Sequence, residues 1–368
     1  MITSSPGTCL AEIAGRRFLF SSEHQLLFDA EPVVARLWND LQVGISPAAF
    51  VRVASAAGGD GARILGDLAD AGLVRFVEPA SGPVEFEASI RLRFGDLSIG
   101  LHATGPRSAA AIRETWGYLA SPWDRCQSHL IVVEDGGQVG LAGPGEEPDW
   151  CGWGEIAPAI KIDLTGLVLD ACADLVLHVA ALASRDEAVL LCGAPGHGKS
   201  TLAVALDAEE GFRLEGDDLA VLDATGRVRA LPFPATLKSG AWPILGNACP
   251  SILDLAISLR PDGQSVRYLP LSGATAPPFR RVACVLCLDR SPGAEPRLEA
   301  MTPDAAIGAL LSGGWSQDRR LSPDAFGGLA ACVEGSHFFR MSYDRLGDAV
   351  DLVREARSIA AGARAWAG

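Results

Sequence analysis

The chain has 368 residues, with 31 Lys and Arg against 45 Asp and Glu and a formal net charge of -14. That length allows two or three domains, and a hydrophobic content of 48% supplies ordinary cores for them. The acidic balance excludes a general surface field for nucleic acid or anionic lipid, so any phosphate must be held by a local site.

Met1-Ile2-Thr3-Ser4-Ser5-Pro6 lacks the basic start and apolar run of a secretory signal, and no apolar stretch reaches membrane-spanning length. A cytoplasmic protein with no membrane and no nucleic-acid partner is expected. Nine cysteines are scattered, mostly in apolar runs such as those around Cys192 and Cys332, which points to buried reduced thiols rather than a disulfide framework. Cys284 and Cys287 have CxxC spacing, but they lie in a strand-like run with no second Cys or His cluster beside them, which argues against a metal or redox site.

Alternation of apolar and polar residues predicts short strands at 9–13, 17–20 and 25–28. Helical spacing follows at about 32–42, 46–56 and 60–72, then a strand at 74–77 and a Pro/Gly-rich linker at 79–83. This order, with Arg36-Leu37-Trp38 and the closing Leu68-Ala69-Asp70-Ala71-Gly72-Leu73-Val74, resembles the PqqD-like peptide chaperones. The resemblance implies a winged-helix-like α+β domain over 1–80 that binds the leader of a ribosomally made precursor peptide by strand addition. The residues alone leave open a purely structural or dimerising domain.

Residues 85–165 read as an α+β subdomain, with strands at 89–94, 97–103 and 130–133 and a helix near 107–119. Trp116, Trp123, Trp150 and Trp153 crowd it, and core packing is a commoner fate for such side chains than a substrate groove. From about 166 the pattern predicts a helix ending near 183, a strand at 188–192, a Gly-rich turn and a helix over 199–209, all within a catalytic domain at 166–368. Further helices are expected near 303–312, 322–334 and 344–362.

The turn is Gly193-Ala194-Pro195-Gly196-His197-Gly198-Lys199-Ser200, a match to G-x-x-x-x-G-K-[ST] in the strand–loop–helix context that a P-loop requires. Its glycines free the backbone to turn successive N–H groups onto an anion, and the helix N-terminus adds partial positive charge. Lys199 is expected at the β- and γ-phosphates and Ser200 on magnesium. Thr201 is a further nucleotide contact or a plain helix residue, and His197 reads as a spacer within the nucleotide-binding loop. Eighteen residues after Lys199 come Asp217 and Asp218 at a strand start, where one carboxylate can serve a metal and the other take a proton.

The run from His178 through the loop to Gly211-Phe212-Arg213-Leu214-Glu215-Gly216-Asp217-Asp218 resembles the HPr kinase/phosphorylase family and its HPr-kinase-related relatives. That resemblance implies an α/β P-loop kinase domain of the HPr kinase type, an oligomer, and use of ATP or another nucleoside triphosphate with Mg2+. Carried over by position, Asp217 is the catalytic base, His178 assists it from an apolar helix face, Lys199 is the phosphate lysine, and Ser200 and Asp218 bind magnesium. The family's Arg-Gly-rich phosphorolysis signature is missing. In its place Leu231-Pro232-Phe233-Pro234-Ala235-Thr236-Leu237-Lys238 and Gln264-Ser265-Val266-Arg267 are similar to the relatives that accompany peptide-modification systems, which offers Lys238 and Arg267 as phosphate or substrate contacts.

Leu311-Ser312-Gly313-Gly314-Trp315-Ser316-Gln317 imitates an ABC-transporter signature, but no strand ending in Asp-Glu follows it, and a guanine-specific Asn-Lys-x-Asp is missing. The expectation is an ATP- and magnesium-dependent kinase acting on a hydroxyl of a peptide or small protein, such as a lasso-type precursor, presented by residues 1–80. A kinase of free serine-like small molecules and a nucleotide-gated peptide-binding module are the alternatives.

Overall fold

A computed structural model describes residues 2–76, 86–122, 125–172, 174–246, 249–272, 277–316 and 320–365. The expected linker at 79–83 and Trp123 lie outside the described residues. Contacts divide the chain into two units, one formed by 1–92, 98–112 and 121–153 and the other by 93–97, 113–120 and 154–368.

In the first unit, strand Ile2–Ser4 pairs antiparallel with Val74–Phe76, and Thr8–Ile13, Arg16–Ser21 and Leu26–Asp29 form a separate three-stranded meander. Helices Pro32–Val43, Pro47–Ala56 and Gly61–Asp70 follow. Side chains cap the second and third: Ser46 accepts from the Ala49 amide and Asp60 from the Arg63 amide, both at 3.1 Å, satisfying donors that the first turn leaves open. Their apolar stripes, with Trp38, Leu41, Phe50, Ile64 and Leu68, close on Ile2, Leu19 and Leu73. A six-stranded sheet runs in the order Asp149–Cys151, Gln138–Ala142, Ser128–Asp135, Leu97–Ala103, Ala88–Phe94, Ala120–Ser121. The three described tryptophans of residues 85–165 have separate surroundings. Trp116 is fully buried edge-on to Phe233, Trp153 lies under the Arg107 guanidinium, and Trp150 is half exposed.

The second unit is built on a nine-stranded mixed sheet. Its P-loop strand, Glu187–Cys192, is parallel to Arg280–Arg290 on one side and antiparallel to Ala180–Ser184 on the other. The run Ala188-Val189-Leu190-Leu191-Cys192 is apolar without alternation because both faces are covered. Val189 and Leu191 meet Leu202, Leu206 and Val353 on one face, while Leu190 and Cys192 meet Leu310, Leu329 and Cys332 on the other. Helices Pro303–Leu311, Pro323–Gly335 and Leu346–Ala365 supply much of that cover.

Two expectations are corrected here. The stretch expected to be a helix ending near 183 is a helix at Ile156–Ala171, followed by strands Leu175–Leu177 and Ala180–Ser184. Leu175 to Ala183 is apolar except for His178, so periodicity could not separate strand from buried helix, and pairing with Ala220–Leu222 and Glu187–Cys192 decides it. His178 therefore stands between two strands, not on a helix face. The helix Ile156–Ala171 also runs through the boundary expected at 165/166. Cys284 and Cys287 project to opposite faces of their strand, into different apolar clusters, so the CxxC spacing cannot converge on one metal.

Candidate functional site

The P-loop leaves the end of strand Glu187–Cys192 and enters helix Lys199–Asp207 at Gly198. Gly193, Gly196 and Gly198 all have positive φ, at 140°, 93° and 89°. These values alternate the backbone so that amides gather into a concave anion nest. His197 ties the loop to the neighbouring strand rather than facing a ligand. Its Nδ1 lies 2.9 Å from the Leu288 carbonyl, and Tyr343 donates its hydroxyl to the His197 carbonyl at 2.7 Å. Lys199 is buried, with Nζ donating to the Gly193 carbonyl at 2.7 Å, which keeps the ammonium inside the loop. Burial pulls its pKa down, against the opposing pull of Asp218 and Asp217.

The acidic pair follows strand Arg213–Gly216. A side chain at Gly216 would collide with the Leu231 carbonyl, so only glycine allows the two backbones to pass. Asp217 and Asp218 then go separate ways. Asp217 is 1% exposed; its Oδ2 accepts from the Thr236 amide at 3.0 Å, and its Oδ1 is buried with no hydrogen-bond partner. Burial, reinforced by the Asp218 charge, lifts its pKa to about 6 against the counter-pull of Lys161, the Thr236 amide and Ser200. Asp218 takes φ +83°, a left-handed conformation that Asp tolerates better than most residues.

Lys161 explains how that turn is held. Its ammonium, brought in by helix Ile156–Ala171, forms an ion pair with Asp218 and donates to Thr236 Oγ1 at 2.6 Å. His178 Nε2 lies 3.8 Å from the other Asp218 oxygen. Burial by itself would raise the Asp218 pKa, but Lys161 and His178 outweigh it and hold the carboxyl well below the usual range.

A cavity of about 730 Å³ opens over the loop, lined by Pro195, Gly196, Gly198, Lys199, Ser200 and Thr201. Asp218, His178, Thr236 and Lys238 face it from the other elements, together with Arg260 and Arg290. The structure thus brings together Lys199, Ser200, Thr201, His178, Asp218 and Lys238, as the sequence suggested. It leaves Gly193, Ala194 and His197 of the loop off the cavity wall, together with Asp217 and Arg267. Asp217 lies beneath the cavity and not on its wall. Arg267 points elsewhere, its guanidinium 4.6 Å from the Trp242 ring centre and hydrogen-bonded to the Ile252 carbonyl.

Sequence reading missed Lys161, Arg260 and Arg290. Lys161 is the one basic residue of Ile156–Ala171, beside Asp163, Thr165 and Asp170, a weak signal that could have singled it out. Arg260 and Arg290 carry no motif and reach the cavity only through folding.

Magnesium and a triphosphate fit these residues. The loop offers a nest and a lysine for phosphate, Ser200 on the cavity wall is an oxygen for a hard cation, and the buried Asp217 carboxylate lies close enough to Ser200 to feel its hydroxyl. The described residues contain no cluster of three or more His, Cys, Asp or Glu side chains able to hold a metal. No described helix is long and apolar enough to cross a membrane.

No protein-family model matches the sequence, and no curated protein matches it. Among solved structures, the chain is similar to the HPr(Ser) kinase/phosphatase from Coxiella burnetii at 14% identity, with a TM-score of 0.24, over 52% of this chain and 94% of that one. A TM-score of 0.24 carries no argument, so function rests on the geometry of the site.

Proposed function

We propose that the protein is a magnesium- and nucleoside-triphosphate-dependent phosphotransferase that acts on a hydroxyl of a peptide or small protein. The observation that carries this reading is the meeting of Lys199, Ser200, His178 and Asp218 around one cavity over a P-loop nest. The nest and Lys199 bind and orient the phosphates, and Lys238 and Arg290 are cations available to charge that spreads over the transferred phosphoryl. Magnesium held by Ser200, with the Asp217 carboxylate behind that hydroxyl, would neutralise phosphate charge. Asp218 meets the acceptor hydroxyl and accepts its proton as the β–γ phosphate linkage breaks and the new P–O bond forms, with His178 beside it.

This assignment exchanges the roles that the sequence gave the two aspartates. A proton acceptor must first reach the hydroxyl, and Asp218 faces the cavity while Asp217 does not. The two cationic neighbours make Asp218 a weak base, which suits a loose transition state in which the hydroxyl proton leaves late.

Presentation of the peptide falls to residues 1–76 in this reading. Strand Leu26–Asp29 closes one side of its meander, and a cavity of about 260 Å³ is lined by Leu19, Phe28, Val34, Ile64 and Leu68. An added strand with apolar anchors suits such a setting. The test is incubation of the full chain with ATP labelled at the γ-phosphate, magnesium and Ser-bearing peptides. Label is expected in peptide, and Lys199→Met is expected to abolish it. Label appearing only as free phosphate would instead support the nucleotide-gated binding module.

A further inference from the structure

A second cavity, of about 440 Å³, adjoins the P-loop cavity and shares Asp218, Thr236, Arg260 and Asp262 with it. Its other walls come from Pro158, Lys161, Ile162 and Thr165, one face of helix Ile156–Ala171, with Pro261 and Tyr268. The two cavities therefore meet at the carboxylate that faces the nucleotide site. Phosphoryl transfer brings attacking and leaving oxygens in line at one phosphorus, so a second chamber ending on Asp218 is an entry for the attacking group.

The lining also says what kind of group. Each lining cation is already matched: Lys161 pairs with Asp218, and Arg260 lies 3.3 Å from Asp262. A free carboxylate or phosphate on the acceptor would find no unmatched cation here and would crowd two aspartates, an arrangement that costs affinity for that partner. Beside the hydroxyls of Thr165 and Thr236, the remaining wall is the apolar surface of Pro158, Ile162, Pro261 and the Tyr268 ring. Ile162 is 56% exposed although it lines the chamber with Pro158, Pro261 and the Tyr268 ring. A small polyol would leave that surface wet, whereas a Ser or Thr with apolar neighbours in an extended polypeptide would cover it.

We infer that this chamber is the acceptor site, and that it selects an uncharged Ser or Thr side chain flanked by apolar residues and rejects anionic small hydroxy compounds. The inference rests on the phosphotransferase reading above. The step is balanced within it: the acceptor oxygen gains the γ-phosphoryl, the nucleoside diphosphate leaves, and the hydroxyl proton passes to Asp218.

The experiment uses the full chain with magnesium-ATP and four probes: a neutral peptide with Ser between Val and Leu, the same peptide with Ser between two Asp, free serine, and glycerate. Acceptor KM and nucleotide Kd are measured separately for the native protein and for Ile162→Asp. Ile162 is exposed, and a thermal melt confirms that the variant folds. The expected result is transfer to the first peptide, at least tenfold weaker use of the other three, and a tenfold or larger rise in the first peptide's KM for Ile162→Asp with nucleotide Kd within twofold. Transfer with an unchanged KM in Ile162→Asp would overturn the chamber assignment and leave the phosphotransferase standing. So would a preference for glycerate or the acidic peptide, or nucleotide binding with none of the four used. Failure of the native protein to bind ATP would overturn the phosphotransferase reading itself.

Discussion

Lys161 and Asp218 form an ion pair that joins a helix with no motif of its own to the acidic turn facing the P-loop. The Lys161 side chain is 12% exposed and that of Asp218 31%, so the pair is shielded more than a surface bridge yet is not fully dry.

Replacing Lys161 by Met leaves Asp218 in its left-handed turn with one cationic neighbour fewer. A destabilisation of about 2 kcal/mol is expected from the unmatched carboxylate. Misplacement of the group that meets the acceptor is expected to slow phosphoryl transfer about 100-fold. Calorimetric melting and single-turnover transfer measure the two effects. A Lys161→Met protein with native melting and native transfer would show that the ion pair positions nothing.

The two aspartates are separable by experiment. Asp218→Asn is expected to cut transfer by about 10²- to 10⁴-fold while ATP affinity and its magnesium dependence persist. Asp217→Asn is expected instead to weaken the magnesium dependence of ATP binding, read by titrating magnesium at fixed nucleotide. The opposite pattern would restore Asp217 as the base and Asp218 as the magnesium ligand.

Acid sensitivity should arise partly in the first unit. Ser89 Oγ, His102 Nδ1, His102 Nε2 and His129 Nδ1 form a chain with steps of 2.8 and 2.9 Å, and both rings are buried. Burial, with the neighbouring His129, pushes His102 down to about 3, and burial pushes His129 down to about 4. The unfolded rings bind protons below about 6.5 while the folded rings stay neutral, so the stability they contribute is complete above that pH and lost as pH falls toward 4. Two such groups give a slope of as much as about 2.7 kcal/mol per pH unit in that window. Proton NMR should find two of the six histidines that do not titrate between pH 8 and 5. Six ordinary titrations near 6.5 would contradict the buried pair.

Some of this protein was legible in the chain itself because its cause is local. Positive φ at Gly193, Gly196 and Gly198 follows from residue type and spacing, and an apolar run beside them reads as a central strand. The three N-terminal helices were legible for the same reason, since a stripe at helical spacing needs no knowledge of its partner. Leu175 to Ala183 was not, because a run that is apolar but for His178 has no alternation to read and takes its conformation from the strands that pair with it.

Folding alone decided which acid faces the P-loop cavity. Adjacent in sequence, Asp217 and Asp218 are indistinguishable until the Thr236 amide claims one and Lys161 and His178, 57 and 40 residues earlier in the chain, surround the other. Arg260 and Arg290 likewise reach the cavity, and Arg267 turns away from it, through pairing over long sequence separations. Phosphate recognition is written in the sequence because consecutive backbone amides perform it, whereas the environment of a carboxylate is set by groups that meet only in the tertiary structure.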